Sequence, residues 1–230
     1  VRKLTAEDKK HYDDFGYVVI PDFFTAEELS EINNELDGCE GSTQKTGEHE
    51  GFTYQLAMLT GKTKQFAHDE RILNLIEDIV KPGIAIFSSK LLTKQPNSPS
   101  VCHWHQDDAY YTEVVSSDTR MSIWVPLQDT DERNGCLWIV PGSHKQGLMP
   151  YEAKNNGTCR KALAEDQVDL SKAQPVPMKA GSILLFHALT WHSSKGNETD
   201  HVRRAFIVSY QEATVPIGRG KQHIVLRPAN

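Results

Sequence analysis

The sequence has no run of about eighteen or more apolar residues, so no stretch of it can form a hydrophobic helix that crosses a bilayer. Its start, Val1-Arg2-Lys3-Leu4-Thr5, lacks the apolar core of a secretion signal. It also lacks a basic run, and its formal net charge is -6 over 230 residues, which argues against a nucleic-acid backbone as partner. Cysteine is scarce. The four residues Cys39, Cys102, Cys136 and Cys159 form no Cys-x-x-Cys pair, which speaks against a structural zinc site or a thioredoxin-like motif and predicts reduced thiols in a reducing compartment. Cys102 in particular reads as a small buried hydrophobe whose strand parity turns it away from its histidine neighbours. These absences predict a cytoplasmic protein whose partner is a small molecule, with no membrane and no nucleic acid involved. No pattern sets the oligomeric state.

What is present is helix signals first and strand signals afterwards. Thr5-Ala6-Glu7-Asp8 and Thr25-Ala26-Glu27-Glu28 each carry a hydroxyl followed three positions later by a carboxylate, a pattern that caps helix starts. Helices are therefore predicted over residues 6–14 and 26–37, the second with Leu29, Ile32 and Leu36 on one stripe, and a third over 65–80. Residues 17–20 read as a short buried strand and 39–51 as a loop. From residue 84 onward the texture is of strands: 84–93, 103–111, 120–127, 136–140, 182–187 and 204–211. Asn134-Gly135 signals a tight hairpin between two of them. Residues 145–175 are polar and read as a long insertion, either a lid over a site or a solvated loop. The length suits one domain of about 230 residues, helical to about residue 80 and a β-sandwich or barrel over about 84–215.

Within the strand region, His103-Trp104-His105-Gln106-Asp107-Asp108-Ala109-Tyr110-Tyr111 carries the chemistry. Alternation on a strand turns His105 and Asp107 to one side, and an imidazole with a carboxylate can hold a metal ion from that side. His103 shares the face and is a candidate to support the ligands from behind, whereas Asp108 points away. The alternative is a hydrogen-bonded polar pair with no metal. A further histidine could come from His187 or His192. His192 precedes a Ser-Ser-Lys-Gly-Asn turn, where a side chain can project into a barrel mouth, while His187 lies in a more apolar run and reads as packed or as supporting the site from behind. Arg203 and Arg204 open an apolar strand, and an arginine on its inner face is costly to bury without an anion to meet its planar fork.

His105-Gln106-Asp107, the stretch Asn134-Gly135-Cys136-Leu137 running to Pro141-Gly142-Ser143-His144, and His192-x-Ser194-x-x-Asn197 followed by Arg203-Arg204-Ala205 together resemble the phytanoyl-CoA dioxygenase family. This is a branch of the Fe(II)- and 2-oxoglutarate-dependent oxygenases. The resemblance extends from Phe15-Gly16-Tyr17-Val18-Val19 to about Tyr210. It implies a mainly β fold, a double-stranded β-helix with flanking helices, and Fe(II) with 2-oxoglutarate and O2 as cosubstrates. Carried over by position, His105, Asp107 and His192 are the implied metal ligands. Arg203 is the implied partner of the distal carboxylate of 2-oxoglutarate, which leaves Arg204 outward. Trp124, Ser194 and Leu91 are implied to line the cosubstrate pocket. Trp124 sits one position later than the resemblance leads one to expect, which suggests a small insertion between Tyr111 and Arg120. A lysine that some relatives supply early in the chain has no clear match, with Lys90 and Tyr54 as candidates.

The expected activity is hydroxylation of an unactivated C–H bond of a small polar metabolite, with release of succinate and CO2. Halogenation is disfavoured because Asp107 is retained. Tyr110, Tyr111 and Trp104 are candidates for the substrate side. Residues 39–60 and 145–175 are the expected seats of specificity. Competing expectations are a metal-binding β-barrel without oxygenase activity, metal-assisted hydrolysis or isomerisation, an interaction protein whose triad is self-satisfied, and an oxygenase acting on an acyl-CoA.

Overall fold

A computed structural model describes residues 2–39, 52–54, 61–111, 117–215 and 224–229. Its helices are α1 (Ala6–Phe15), α2 (Ala26–Cys39), α3 (Lys62–Ala67) and α4 (Glu70–Ile76). Its strands are β1 (Tyr17–Ile20), β2 (Phe52–Tyr54), β3 (Ile84–Lys94), β4 (Cys102–His105), β5 (Met121–Pro126), β6 (Leu137–Ile139) and β7 (Tyr151–Ala153), then β8 (Lys161–Leu163), β9 (Gln174–Val176), β10 (Ile183–His187), β11 (His192–Ser194), β12 (Arg203–Gln211) and β13 (Ile224–Arg227). Both helix-start signals act as expected. Thr5 and Asp8 cap each other's backbone N–H groups, and Thr25 does the same with Glu28. The single helix expected over 65–80 is two short ones, because Asp69 leaves the helical conformation and its carboxylate accepts from the Arg71 N–H to start α4.

Among the described residues, seven strands form an antiparallel sheet in the order β1-β10-β5-β12-β3-β13, with β2 also on β3, and four form a second sheet in the order β4-β11-β6-β9. One apolar layer packs the outer face of the large sheet, through Ile123, Val125, Leu185, Phe206 and Val208, against Leu29, Ile32, Leu36, Phe66 and Ile72 of the helices. A second layer lies between the sheets, with Leu92, Trp124, Leu184, Phe186 and Ile207 meeting Leu137, Ile139 and Val176. Each fully buried side chain of this size contributes about 1.5–3 kcal/mol. The arrangement is a double-stranded β-helix with helices on one side. Among the described residues, no helix is long and apolar enough to cross a membrane.

Several expectations are corrected. Asn134-Gly135 is a turn but not a hairpin, since β5 and β6 belong to different sheets and the turn carries the chain between them. Residues 145–175 are not structureless, for β7 and β8 pair as a two-stranded ribbon within them. The thiols of Cys102 and Cys159, expected to be reduced, form a disulfide across 57 residues of sequence that ties β4 to the segment entering β8. Cys136 is free and buried. Cys39's side chain, most of 39–60 and most of the suggested insertion after Tyr111 lie outside the described residues.

Two irregularities decide which side chains face inward. The β12 register pairs Ser209 with Ser88 and Tyr210 with Ile86, so Phe87 is an extra residue in β3 and the parity flips there. From that point Lys90, Leu92 and Lys94 face the interior, and Leu91 packs in the outer layer. The second lies in β4, where His105 pairs with His192 but Cys102 pairs with Ser194, leaving one extra residue between. That shift brings Cys102 back to the side of His105, and its Sγ lies 3.6 Å from His105 Nδ1.

Candidate metal centre and cosubstrate pocket

His105 and His192 stand opposite each other at the ends of β4 and β11, with ring centroids 4.1 Å apart. The strand expected to continue through Asp107 stops at His105. Residues Asp107–Tyr110 form a 3-10 turn. Gln106 causes the turn to settle there: its amide donates to the Gly147 and Leu189 carbonyls, and its carbonyl accepts from the Met149 N–H. With Gln106 pinned on one side, Asp107 returns to the side of the histidines. Its Oδ1 lies 3.8 Å from His105 Nε2 and 3.9 Å from His192 Nε2.

The remaining polar atoms of the three residues are all engaged by the protein. His105 Nδ1 lies 2.8 Å from the His103 carbonyl, and His192 Nδ1 lies 2.9 Å from that of Thr190. Both contacts fix the proton on Nδ1 and leave Nε2 as the lone-pair nitrogen. Ser122 Oγ donates to Asp107 Oδ2 at 2.8 Å and meets Ser209 Oγ at 2.8 Å, which leaves Oδ1 as the open oxygen. Burial holds both imidazoles below their ordinary pKa, so they stay neutral. Burial also acts to raise the Asp107 pKa, but Lys90, the two histidines and Ser122 together hold it below the usual carboxylate range. Two neutral Nε2 atoms and one carboxylate oxygen converge on one point, spaced to share an ion with bonds of about 2 Å.

A second polar cluster lies deeper between the sheets. Arg203 is fully buried, and its Nη2 donates to the Gly135 carbonyl at 2.9 Å. Among the described residues its Nε and Nη1 have no hydrogen-bond partner, and neither do Trp124 Nε1 and Ser194 Oγ. The guanidinium carbon lies 5.7 Å from the Trp124 ring centroid. Lys94 pairs in register with Arg203 and donates to the Ser100 and Lys195 carbonyls at 2.8 and 2.6 Å. Burial first, and Arg203 second, lower the Lys94 pKa to about 6, and burial lowers that of Arg203 to about 10. Buried cationic donors without an anion are costly. The cluster fits a ligand carboxylate.

Other expected site residues fall elsewhere. Leu91 does not line this pocket, because the Phe87 bulge turns it to the helices; Leu92 faces in instead. His103 does not support the metal ligands through its ring, which lies against Asn156; only its carbonyl does so. His187 faces away and contacts the Asp118 carbonyl and the Leu189 N–H, whereas Phe186 packs on His192 at 4.8 Å. Trp104 is not on a substrate face but packs with Val140, Leu163 and Trp191. Tyr111 is wedged against Phe87 and Arg120. Tyr110 does lie by the centre, with its ring 5.9 Å from that of His105 and its hydroxyl accepting from the Lys161 N–H. Arg204 points outward to Asp37, as expected, and Asp108 is held by Arg120. Gln106, Ser122, Gly135, Phe186 and Lys94 were not singled out for these roles. Only long-range pairing identifies them.

The sequence profile of the phytanoyl-CoA dioxygenase (PhyH) family matches residues 12–205. The chain is 26% identical to a probable alpha-ketoglutarate-dependent hypophosphite dioxygenase of Stutzerimonas stutzeri over 232 residues, covering 91% of this chain and 79% of that protein. It is 25% identical to the peroxisomal phytanoyl-CoA dioxygenase of Homo sapiens over 234 residues, covering 91% and 69%. Its fold superposes on EctD from S. alaskensis, solved with 2-oxoglutarate and 5-hydroxyectoine, with a TM-score of 0.79, 19% identity and coverage of 94% and 78%. The profile match includes His105, Asp107, His192 and Arg203, and the chain belongs to the phytanoyl-CoA dioxygenase family of Fe(II)- and 2-oxoglutarate-dependent oxygenases.

Proposed function

We propose that His105, Asp107 and His192 hold one Fe(II) ion, that Arg203 anchors 2-oxoglutarate, and that the enzyme hydroxylates a C–H bond of a small polar metabolite. The observation that carries this reading is Arg203, a fully buried guanidinium with two nitrogens that lack partners among the described residues. Its planar fork matches a carboxylate, and a bound carboxylate offsets the cost of its burial. When bound, Fe(II) with 2-oxoglutarate and O2 supplies an oxidant able to convert C–H to C–OH, with release of succinate and CO2.

The protein's contribution is position and exclusion of water. The Nδ1 contacts to the His103 and Thr190 carbonyls aim both Nε2 atoms, and Ser122 aims Asp107. Trp124 Nε1 and Ser194 Oγ offer two further donors to cosubstrate oxygens beside Arg203. Phe186 packs on His192, and Leu184 and Ile207 lie with it and Trp124 in one buried apolar cluster. Tyr110, beside His105, borders the substrate side. The Stutzerimonas relative is named for a substrate of three heavy atoms, which supports a small substrate over an acyl-CoA. A metal-binding barrel without oxygenase activity would have no use for the unpartnered arginine.

Anaerobic titration of the metal-free protein with Fe(II) and then 2-oxoglutarate tests the reading. A weak visible charge-transfer band is expected in the native protein and is expected to vanish in Arg203→Ala and His192→Ala. Iron binding without a band would remove the cosubstrate assignment.

A further inference from the structure

We propose that Cys102 and Cys159, once reduced, form with His105 a second metal site, which takes a thiophilic divalent cation such as Zn(II) and withdraws His105 from the first centre. The site stands on the geometry of these three residues, and its effect on iron rests on the metal-centre reading above. No Cys-x-x-Cys motif announces it, because 57 residues separate the two cysteines.

The extra residue in β4 brings Cys102 to the side of His105, and the segment entering β8 brings Cys159 to the same spot. The two sulfurs and a ring nitrogen of His105 all lie within 4.8 Å of one another, and all three residues are buried. Cys102 Sγ is 3.6 Å from His105 Nδ1 and 4.0 Å from Nε2. Zinc binds thiolate at about 2.3 Å and imidazole at about 2.0–2.1 Å, so at a tetrahedral angle the two donors stand about 3.6 Å apart. Cys102 and His105 already have that spacing. Contacts other than the disulfide also hold the two segments together. The Thr158 N–H donates to the Val101 carbonyl at 2.8 Å, and the Lys161 N–H donates to the Tyr110 hydroxyl at 3.0 Å. Gly157 lets the backbones meet, since a Cβ there would lie 2.6 Å from the Val101 carbonyl. The two thiols therefore stay close when the bond between them is cut.

A dithiol reductant cuts it: two electrons and two protons pass to the sulfurs, and the reductant closes its own disulfide. A divalent cation then displaces the two thiol protons to solvent and gains two thiolates and an imidazole, the donor set of Cys2His zinc sites that leave a fourth position for water. Neutral His105 has one lone-pair nitrogen. In the first centre that nitrogen is Nε2, because the proton on Nδ1 faces the His103 carbonyl. A cation on Nδ1 moves the proton to Nε2, and iron loses a ligand. The disulfide thus keeps the two sulfurs from competing for His105.

Cadmium is the probe, because thiolate-to-cadmium charge transfer absorbs in the ultraviolet and a cadmium held by imidazole and carboxylate lacks that band. The protein is compared as the disulfide and after dithiol treatment with anaerobic desalting, the two new thiols being counted by titration. Reduced wild type should develop the band up to one cadmium per chain, and the disulfide form should not. Reduced His192→Ala lacks the first centre but keeps this site, and should bind cadmium within about twofold of the wild type. Reduced His105→Ala and Cys159→Ser should bind it about tenfold to a hundredfold more weakly. In reduced wild type loaded with Fe(II) and 2-oxoglutarate, the iron charge-transfer band should fall as the thiolate band rises. A pair that the dithiol leaves intact, no thiolate band after reduction, unchanged cadmium affinity in His105→Ala, or both bands at full strength together would each overturn the proposal. The metal-centre reading fails separately, by absence of the iron band in the disulfide form before any cadmium is added.

Discussion

The two buried polar clusters differ in how completely the protein satisfies them. Around His105, Asp107 and His192 the protein engages both Nδ1 atoms and one carboxylate oxygen, so each residue keeps one open atom and the three open atoms converge. Around Arg203 the described residues supply one carbonyl and leave four polar nitrogens and oxygens without partners. The first cluster is a finished socket for a small spherical ion. The second is unfinished, and the carboxylate proposed to bind there would bring its own acceptors. Metal affinity should therefore respond to changes in orientation, and cosubstrate affinity to loss of donors.

The largest effect should come from removing a converging atom. His192→Ala leaves two ligands, and neither calorimetric Fe(II) binding nor succinate release should be detectable; a variant that still binds iron tightly would show that the socket lies elsewhere. Next comes the unfinished cluster. Truncating one member of a buried charge pair costs about 2–5 kcal/mol, or roughly thirty- to several-thousand-fold in affinity for 2-oxoglutarate. Arg203→Met also removes a buried, unpartnered cation, so without cosubstrate it should melt at or above the wild-type temperature. Added 2-oxoglutarate should raise the melting temperature of the wild type alone. A variant that keeps this gain would break the contrast between the clusters.

A smaller effect tests the finished socket through a residue that does not itself face the open point. Ser122→Ala removes the donor to Asp107 Oδ2 and strands Ser209 Oγ. Losing such a supporting contact typically weakens metal binding by about 10–100-fold. Fe(II) affinity should fall within that range while 2-oxoglutarate, measured at saturating metal, binds as before. An unchanged Fe(II) affinity would mean that Asp107 is held by its turn and not by Ser122.

The converging residue types were legible in the sequence, and so was the outward Arg204. The local geometry was less so. His105 and Asp107 converge although the alternation argument does not hold past the end of β4; Gln106, fixed by three distant backbone groups, achieves by a 3-10 turn what parity was expected to do. Carry-over by position failed at Phe87, whose bulge puts Leu92 in place of Leu91 at the inner face, and parity failed in β4, where an extra residue brings Cys102 beside His105. A bulge is set by the partner strand and leaves no local signature. The Cys102–Cys159 pairing was hidden for a similar reason, since 57 residues separate the two. His103 and His187 show that residue type alone cannot tell a ring that faces the site from one that packs beside it.

The last expected effect, the smallest per pH unit, concerns the second basic residue of the unfinished cluster. Lys94 has an ordinary pKa of 10.5 and a folded value of about 6, lowered by burial and then by Arg203. Between those values the unfolded chain binds a proton that the folded chain does not, so stability rises with pH through the window and is lost as pH falls through it. The slope from this group is at most about 1.4 kcal/mol per pH unit. Urea melts between about pH 7 and 9.5, above the range where histidines titrate, should show that slope in the wild type and a flatter line in Lys94→Met. Added 2-oxoglutarate should flatten the wild-type line as well, because a carboxylate at Arg203 would offset the charge that, after burial, lowers the Lys94 pKa. If the wild-type slope is indifferent to 2-oxoglutarate, the carboxylate does not sit with these two cations, and the second cluster is completed by something else.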